Sequence, residues 1–307
     1  APGLLGPGRR RSGSRSRSAG LAQADLGVVV GLPRGYRIDW GQAPVLDSRA
    51  KIVYGGADDF RKHRKAAAAL YGDIAKPLAA LAEACRDTPR HDGWLAELVT
   101  KEAAARERDR PLFESGSTPI HPARLVAEVG TFLDPDAIVV GDGGDFVSFA
   151  GRFLERPGPG QFIDPGPFGC LGSGPGYALA AKLAHPDRQV VLLSGDGAFG
   201  FSGMEFDSLV RHGVPVICVI GNNGIWATEK HPMQTMLGTS IAADLRLGTR
   251  YDKVAAALGG HAELVPMPAQ IRPAPERAAR AGLPACLTAT FDPAPPHRPS
   301  SVPSERR

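Results

Sequence analysis

Long apolar runs are missing from this chain. No stretch of eighteen consecutive hydrophobic residues occurs in its 307 residues, so no membrane-spanning helix is expected. Cysteine is scarce. Cys85, Cys170, Cys218 and Cys286 are the only four, and none sits in a CxxC pair. Neither a zinc cluster nor a disulfide framework is indicated, and a reducing, cytoplasmic setting is expected. Acidic residues are absent before Asp25, whereas Arg9, Arg10, Arg11, Arg15 and Arg17 all lie there. These five arginines outweigh the formal net charge of +4. The remainder is close to neutral, and no nucleic-acid surface is expected on the folded part. No apolar segment follows the arginines before Asp25, as a secretory signal would require.

The chain begins with Gly, Arg, Ser and Pro and little that could form a core, which predicts a disordered tail over residues 1–23. From residue 24 the pattern changes. Leu26 to Gly31 and Lys51 to Tyr54 read as strands. Ala66 to Ala84 reads as helix, with Leu70, Ile74, Leu78 and Leu81 at helical spacing and Pro77 placed to start a new helix. Residues 24–91 therefore form an incomplete α/β domain. Over 92–293, apolar strands (137–142, 189–194, 214–220 and 285–290) alternate with helical segments, among them one led by Pro122. Continuous apolar strands separated by helices predict a doubly wound parallel sheet covered on both faces. Residues 294–307 read as a second disordered tail.

One segment decides the chemistry. Ser194 ends a strand and is followed by Gly195-Asp196-Gly197-Ala198-Phe199-Gly200. Taken literally this is GxGxxG, the dinucleotide fingerprint. Two features oppose that reading. Asp196 would set a carboxylate against a pyrophosphate, which repels unless a cation lies between them. The following strand should end in an acid for the ribose hydroxyl, yet it ends in Gly221-Asn222-Asn223. Both features suit a metal-bridged diphosphate. Mg2+ takes hard oxygen ligands in octahedral array, commonly a carboxylate or two plus ligand phosphates. Asp196 and Asn223, at neighbouring strand ends, can meet over the carboxyl edge of the sheet, where open α/β sheets bind ligands. Amides at the next helix start can hold phosphate oxygens.

GDG, then the 24 residues from Ala198 to Gly221, then NN, resembles the signature of thiamine-diphosphate enzymes. The similarity runs from about Ala24 to Pro293 and is to the acetolactate synthase-like branch, which also holds 2-hydroxyacyl-CoA lyases and oxalyl-CoA decarboxylases. The resemblance implies that 24–91 is the rear of a central domain and 92–293 a pyrophosphate-binding domain. It implies thiamine diphosphate and Mg2+ as cofactors. The side chains of Asp196 and Asn223 and the backbone carbonyl of Ile225 match the family's metal ligands. Gly195, Gly197, Ala198 and Phe199 match the loop facing the diphosphate. Gly143, Gly144 and Asp145 match a second such loop, where the family often has Asn or His and Asp145 departs from it; a turn aspartate is the alternative. Gly169 and Leu171, in Gly169-Cys170-Leu171-Gly172, match the stretch that cradles the aminopyrimidine, Leu171 standing where a large apolar residue bends the cofactor. His231 could line a substrate mouth or be a surface histidine, and Trp226 could stack beside the cofactor or be a core aromatic.

In that family a glutamate on a separate pyrimidine-binding domain assists proton removal from the cofactor, and no catalytic residue is assigned within these 307. Glu205 would lie on the diphosphate side and is no substitute. The resemblance implies carbon–carbon bond making or breaking at a 2-oxo or 2-hydroxyacyl carbon, with acetolactate synthesis first and acyl-CoA cleavage second. A non-catalytic cofactor-binding chain is the third alternative. It also implies a homo-oligomer, or a pyrimidine-binding domain supplied in trans. By itself, the chain is expected to be nearly inactive.

Overall fold

The computed structural model describes residues 15–31, 41–56, 66–154 and 158–293. Contacts divide the chain into two compact units between Arg108 and Asp109.

The first unit carries α1 (Arg15–Gln23), β1 (Leu26–Val30), β2 (Lys51–Gly56), β3 (Ala68–Tyr71), α2 (Ala75–Ala84) and the start of α3 (Asp92–Phe113). Its strands form a parallel sheet in the order β1-β2-β3. Leu46, Ile52 and Tyr54 make a small core against Leu21, Val29 and Ala66. Two expectations need correcting. Residues 15–23, assigned to a disordered tail, are helix α1, because tertiary contact supplies what composition did not: Leu21 joins the core, and Gly20 is buried beside Leu98 and Trp94. The rest of that tail, residues 1–14, and the tail at 294–307 lie outside the described residues. The expected helix from Ala66 is a strand first. Val53 pairs with Ala68, and Gly56 with Tyr71, so ladder bonds to β2 override the helical spacing of Leu70 and Ile74. The helix begins only at Ala75, with Pro77 in its first turn. The boundary expected at 91/92 coincides with the first residue of α3, whereas the contacts divide inside that helix.

The second unit opens with α4 (Pro122–Phe132). His121 caps it, its Nδ1 accepting the Ala123 amide at 3.1 Å, and Pro122 takes the first helical position as expected. There follow β4 (Ile138–Asp142), α5 (Asp145–Phe153), β5 (Phe162–Ile163), α6 (Gly174–Ala184), β6 (Val190–Gly195), α7 (Asp196–Ser202), α8 (Phe206–Arg211), β7 (Ile217–Asn222), α9 (Ala227–Leu237), α10 (Tyr251–Ala257), β8 (His261–Val265), α11 (Pro273–Ala281) and β9 (Ala285–Thr290). The six strands are all parallel in the order β5-β4-β6-β7-β9-β8. Strand side chains alternate between faces, and each face has its own core. Val139, Val191, Leu193, Val219 and Leu287 pack with Leu125 and Val129 of α4, Phe146 and Phe149 of α5 and Ala278 of α11. Ile138, Val140, Leu192, Ile220 and Cys286 pack with Ala178 of α6, Leu209 of α8 and Ala255 of α10. The sheet is thus doubly wound, as its continuous apolar strands require.

The outer strands β5 and β8 were not legible as strands. β5 is two residues long, and β8 carries His261 and Glu263, which bond to each other, Glu263 also accepting from Arg277. Neither has the apolar run that marks a central strand. From β4 the chain steps outward to β5 and then crosses back to β6. This places a topological switch point between the carboxyl ends of β4 and β6, where such sheets bind ligands. Among the described residues no helix is long and apolar enough to cross a membrane.

Leu193 is fully buried in the central strand β6. Leu193→Ala is expected to cost about 2–5 kcal/mol by urea unfolding, through lost contacts and a residual cavity. Leu183→Ala, on the exposed side of α6, is expected to stay within about 0.5 kcal/mol.

Candidate functional site

Strand β6 ends at Gly195, and Asp196 is the first residue of α7 with no loop between them. The side chain of Asp196 is only 3% exposed. One carboxylate oxygen, Oδ1, accepts the Gly197 amide at 2.9 Å, and the other, Oδ2, accepts the Gly224 amide at 2.7 Å. Burial raises its pKa, and these amides offset the rise only in part. The neighbouring strand β7 ends at Asn222, and Asn223 follows, 5% exposed, its Oδ1 accepting the Ile225 amide at 3.2 Å. The Gly224 amide therefore ties the two strand ends together at the Asp196 carboxylate.

The backbone after Asn223 is held from outside. Leu245 donates its amide to the Gly224 carbonyl, and Trp226 donates its own to the Ala243 carbonyl, both at 2.8 Å. The Asn222 side chain donates to the Thr249 carbonyl at 2.9 Å. Ile225 is buried between these ties.

Close backbone approach explains the glycines. A Cβ at Gly197 would lie 2.5 Å from the Trp226 ring. At Gly143, whose φ is +136°, it would lie 3.0 Å from the Gly195 nitrogen, so β4 and β6 leave the sheet almost touching. Ala198 and Phe199 are both 2% exposed, and Phe199 meets Tyr251 edge-on. Only their backbones are open to a role at the sheet edge. Gly144 caps α5, and Asp145 is its first residue. Burial raises the Asp145 carboxyl to about 6.

Gly169 and Leu171 lie on a loop between the short helical turn Gly166–Phe168 and α6. Leu171 lines a cavity of about 380 Å3 with Phe201, Trp226, Met233 and Ile241, where Glu229 is the one charged residue among the lining. Trp226 thus touches both the Gly197 backbone and this cavity. His231 lies in α9 but not among the lining residues; burial lowers its pKa. Phe201, Met233 and Ile241 were missed by sequence reasoning. No motif marks them, since the cavity arises only where α7, α9 and the strap near 243 converge. Asp142 was missed too, although an acid closing an apolar strand is a visible signal. Its carboxylate accepts the Gly172 and Gly174 amides at 3.0 and 2.8 Å.

Residues 142–289 match the family model described as the thiamine pyrophosphate enzyme, C-terminal TPP binding domain. Over these residues the chain carries a thiamine pyrophosphate enzyme C-terminal domain. The family's domain binds thiamine diphosphate, and Mg2+ is its usual partner metal. Among relatives, a probable acetolactate synthase of Mycobacterium bovis is 51% identical over 295 residues, covering 95% of this chain and 53% of that protein. An acetolactate synthase large subunit of Mycobacterium tuberculosis gives the same values. Human 2-hydroxyacyl-CoA lyase 2 is 34% identical over 273 residues, 86% of this chain and 43% of that one. The chain spans about half the length of these two acetolactate synthases. A solved thiamine diphosphate-dependent 4-hydroxybenzoylformate decarboxylase of Rhodococcus jostii RHA1 superposes with a TM-score of 0.73 at 22% identity, over 90% of this chain and 50% of that one. At that identity the likeness is one of fold.

The raised Asp145 carboxyl predicts a pH effect. A carboxyl whose folded pKa, about 6, exceeds its ordinary 3.8 favours the proton in the folded state. It therefore lowers stability as pH rises through that window. Asp145→Asn is expected to raise the melting temperature above pH ~6, with the gain gone below pH ~4. Thermal unfolding across that range checks it, and a gain independent of pH would contradict the assignment.

Proposed function

We propose that the second unit binds the diphosphate end of thiamine diphosphate through Mg2+ held by the Asp196 carboxylate, the Asn223 side-chain oxygen and the Ile225 carbonyl. The observation that carries this reading is the hydrogen bond from the Gly224 amide to Asp196, which brings the GDG and NN segments to one buried place. The residues fit the metal. Both side chains offer hard oxygens, as Mg2+ demands. A carboxylate this buried, with its pKa raised, also gains from a neighbouring cation. The backbone at Gly195, Gly197, Ala198 and Phe199 and at Gly143, Gly144 and Asp145 lines the diphosphate. Gly169 and Leu171 lie toward the aminopyrimidine. Gly143, Gly144 and Gly197 fit a cradle that leaves no room for a Cβ.

Bound thiamine diphosphate supplies a nucleophilic carbon and an electron sink for carbon–carbon bond making or breaking. The residues of this chain bind and orient. Asp196 and Asn223 fix the charged end, Trp226 closes the Gly197 side, and the apolar pocket beside Leu171 flanks the reacting end. For the whole protein we favour acetolactate synthase-like chemistry on a 2-oxo acid, supported by 51% identity to acetolactate synthases. Cleavage of 2-hydroxyacyl-CoA is the second reading, supported by 34% identity to a 2-hydroxyacyl-CoA lyase. The same reading takes the site to be completed by a pyrimidine-binding domain, from a second copy or in trans, in the cytoplasm.

Contacts to the diphosphate hold ground and transition state alike, and uniform binding does not accelerate chemistry. Help with proton removal is typically worth ~10²–10⁴-fold. Among the described residues Glu205 bonds only Ser208, at an exposed position, which suits no such role. The 307 residues alone are therefore expected to bind the cofactor but not to speed exchange of its thiazolium proton above the free rate, as read by NMR. Rapid exchange would mean that an acid within these residues does the work. Asp196→Ala is expected to abolish Mg2+-dependent binding of thiamine diphosphate in calorimetry; unchanged binding rules the site out. On the complete protein, turnover of acyl-CoA substrates with none from pyruvate would reverse the two substrate readings.

A further inference from the structure

The loop from Gly169 to Ser173 has no regular structure of its own. It leaves a short helical turn through Gly169 in the left-handed region and reaches α6 through Gly172, whose φ is +86°. Such a segment keeps one conformation only if something outside it supplies hydrogen bonds. Here one side chain of the sheet supplies two of them, at the end of the loop that joins α6. Asp142 closes β4, paired in register with Ser194 of β6, and is fully buried. Its Oδ1 accepts the Gly172 amide at 3.0 Å and its Oδ2 the Gly174 amide at 2.8 Å. The fit is close: a Cβ at Gly174 would come within 2.6 Å of the Asp142 Cβ and 2.7 Å of Oδ2. Two amides two residues apart, both pointing inward, need an acceptor with two oxygens. Asparagine offers one oxygen and turns an NH2 toward the other amide. Burying a carboxylate is costly without partners, and these two amides solvate it.

Asp142 also precedes Gly143, where β4 leaves the sheet against Gly195. One rigid strand end therefore sets both the backbone on the diphosphate side and the loop that carries Leu171. We propose that Asp142 is a positioning residue that holds the Gly169–Ser173 loop, and with it Leu171, at a fixed distance from the diphosphate end, so that it governs binding of the aminopyrimidine part of thiamine diphosphate and not of the diphosphate. The proposal rests on the reading of the site given above, in which Gly169 and Leu171 face the pyrimidine.

The test compares two probes, Mg2+–thiamine diphosphate and Mg2+–inorganic pyrophosphate, by calorimetry on the unaltered chain and on Asp142→Asn. The unaltered chain is expected to bind both. Asp142→Asn is expected to weaken thiamine diphosphate by about tenfold or more, the usual scale for a buried hydrogen-bonding group left without its partner. It should leave pyrophosphate within about twofold. Hydrogen exchange at the Gly172 and Gly174 amides should quicken in the variant. A loss shared equally by the two probes marks general damage to the fold and overturns the proposal, as does no loss for either. Failure of the unaltered chain to bind either probe would instead sink the site reading, and the positioning role with it. Should Asp142→Asn not fold, the unaltered chain decides. Thiamine diphosphate should slow exchange at the Gly172 amide more than pyrophosphate does, and equal protection by the two would defeat the proposal.

Discussion

The hydrogen bond from the Gly224 amide to the Asp196 carboxylate joins the ends of two neighbouring strands, and the rest of the site is arranged around the consequence. A carboxylate this far from water is expensive to keep charged. It persists because backbone amides solvate it, and those amides are available only where parallel strands stop together and the chain turns at once. Gly195 and Gly221 are partners in register, so α7 and the Asn223 turn start at the same height above the sheet. A shift of one residue in β7 would carry Asn223 away and turn each of its side chains to the wrong face. The register of the apolar core and the placement of the polar edge are thus one constraint.

The same economy governs the walls. Gly143 approaches the Gly195 backbone, and Trp226 lies flush on Gly197, leaving peptide groups rather than side chains at the carboxyl edge. Beyond them the lining turns apolar, through Leu171, Phe201 and Ile241. Polar backbone on one side and apolar side chains on the other suit a ligand charged at one end and aromatic at the other. Asp142 gives this division a rigid frame, because its strand borders the first wall while its carboxylate holds the loop that leads to the second.

Much of the second unit was legible because its central strands, β4, β6, β7 and β9, are buried on both faces and read as continuous apolar runs. The outer strands were not, since a two-residue strand and one bearing His261 and Glu263 lack that mark. In the first unit the Ala-rich segment after residue 66 favours helix locally, and a ladder with β2 overrode it. Asp196 and Asn223 were legible as a pair because a carboxylate within a glycine turn makes little physical sense without a cation. Phe201, Met233 and Ile241 were not, because they come together only through packing.

By itself, the sequence determined that a doubly wound parallel sheet would form and that the ends of β6 and β7 would carry an oxygen-rich, glycine-lined edge. Both follow from local patterns: apolar runs of strand length, and polar residues at their ends. Only the tertiary structure decided which amides solvate Asp196, that residues 15–23 are helix rather than tail, and that Asp142 reaches across thirty residues to hold the Leu171 loop. Those are contacts between segments distant in the chain. Their free energy comes from burial and hydrogen bonding that no local pattern encodes.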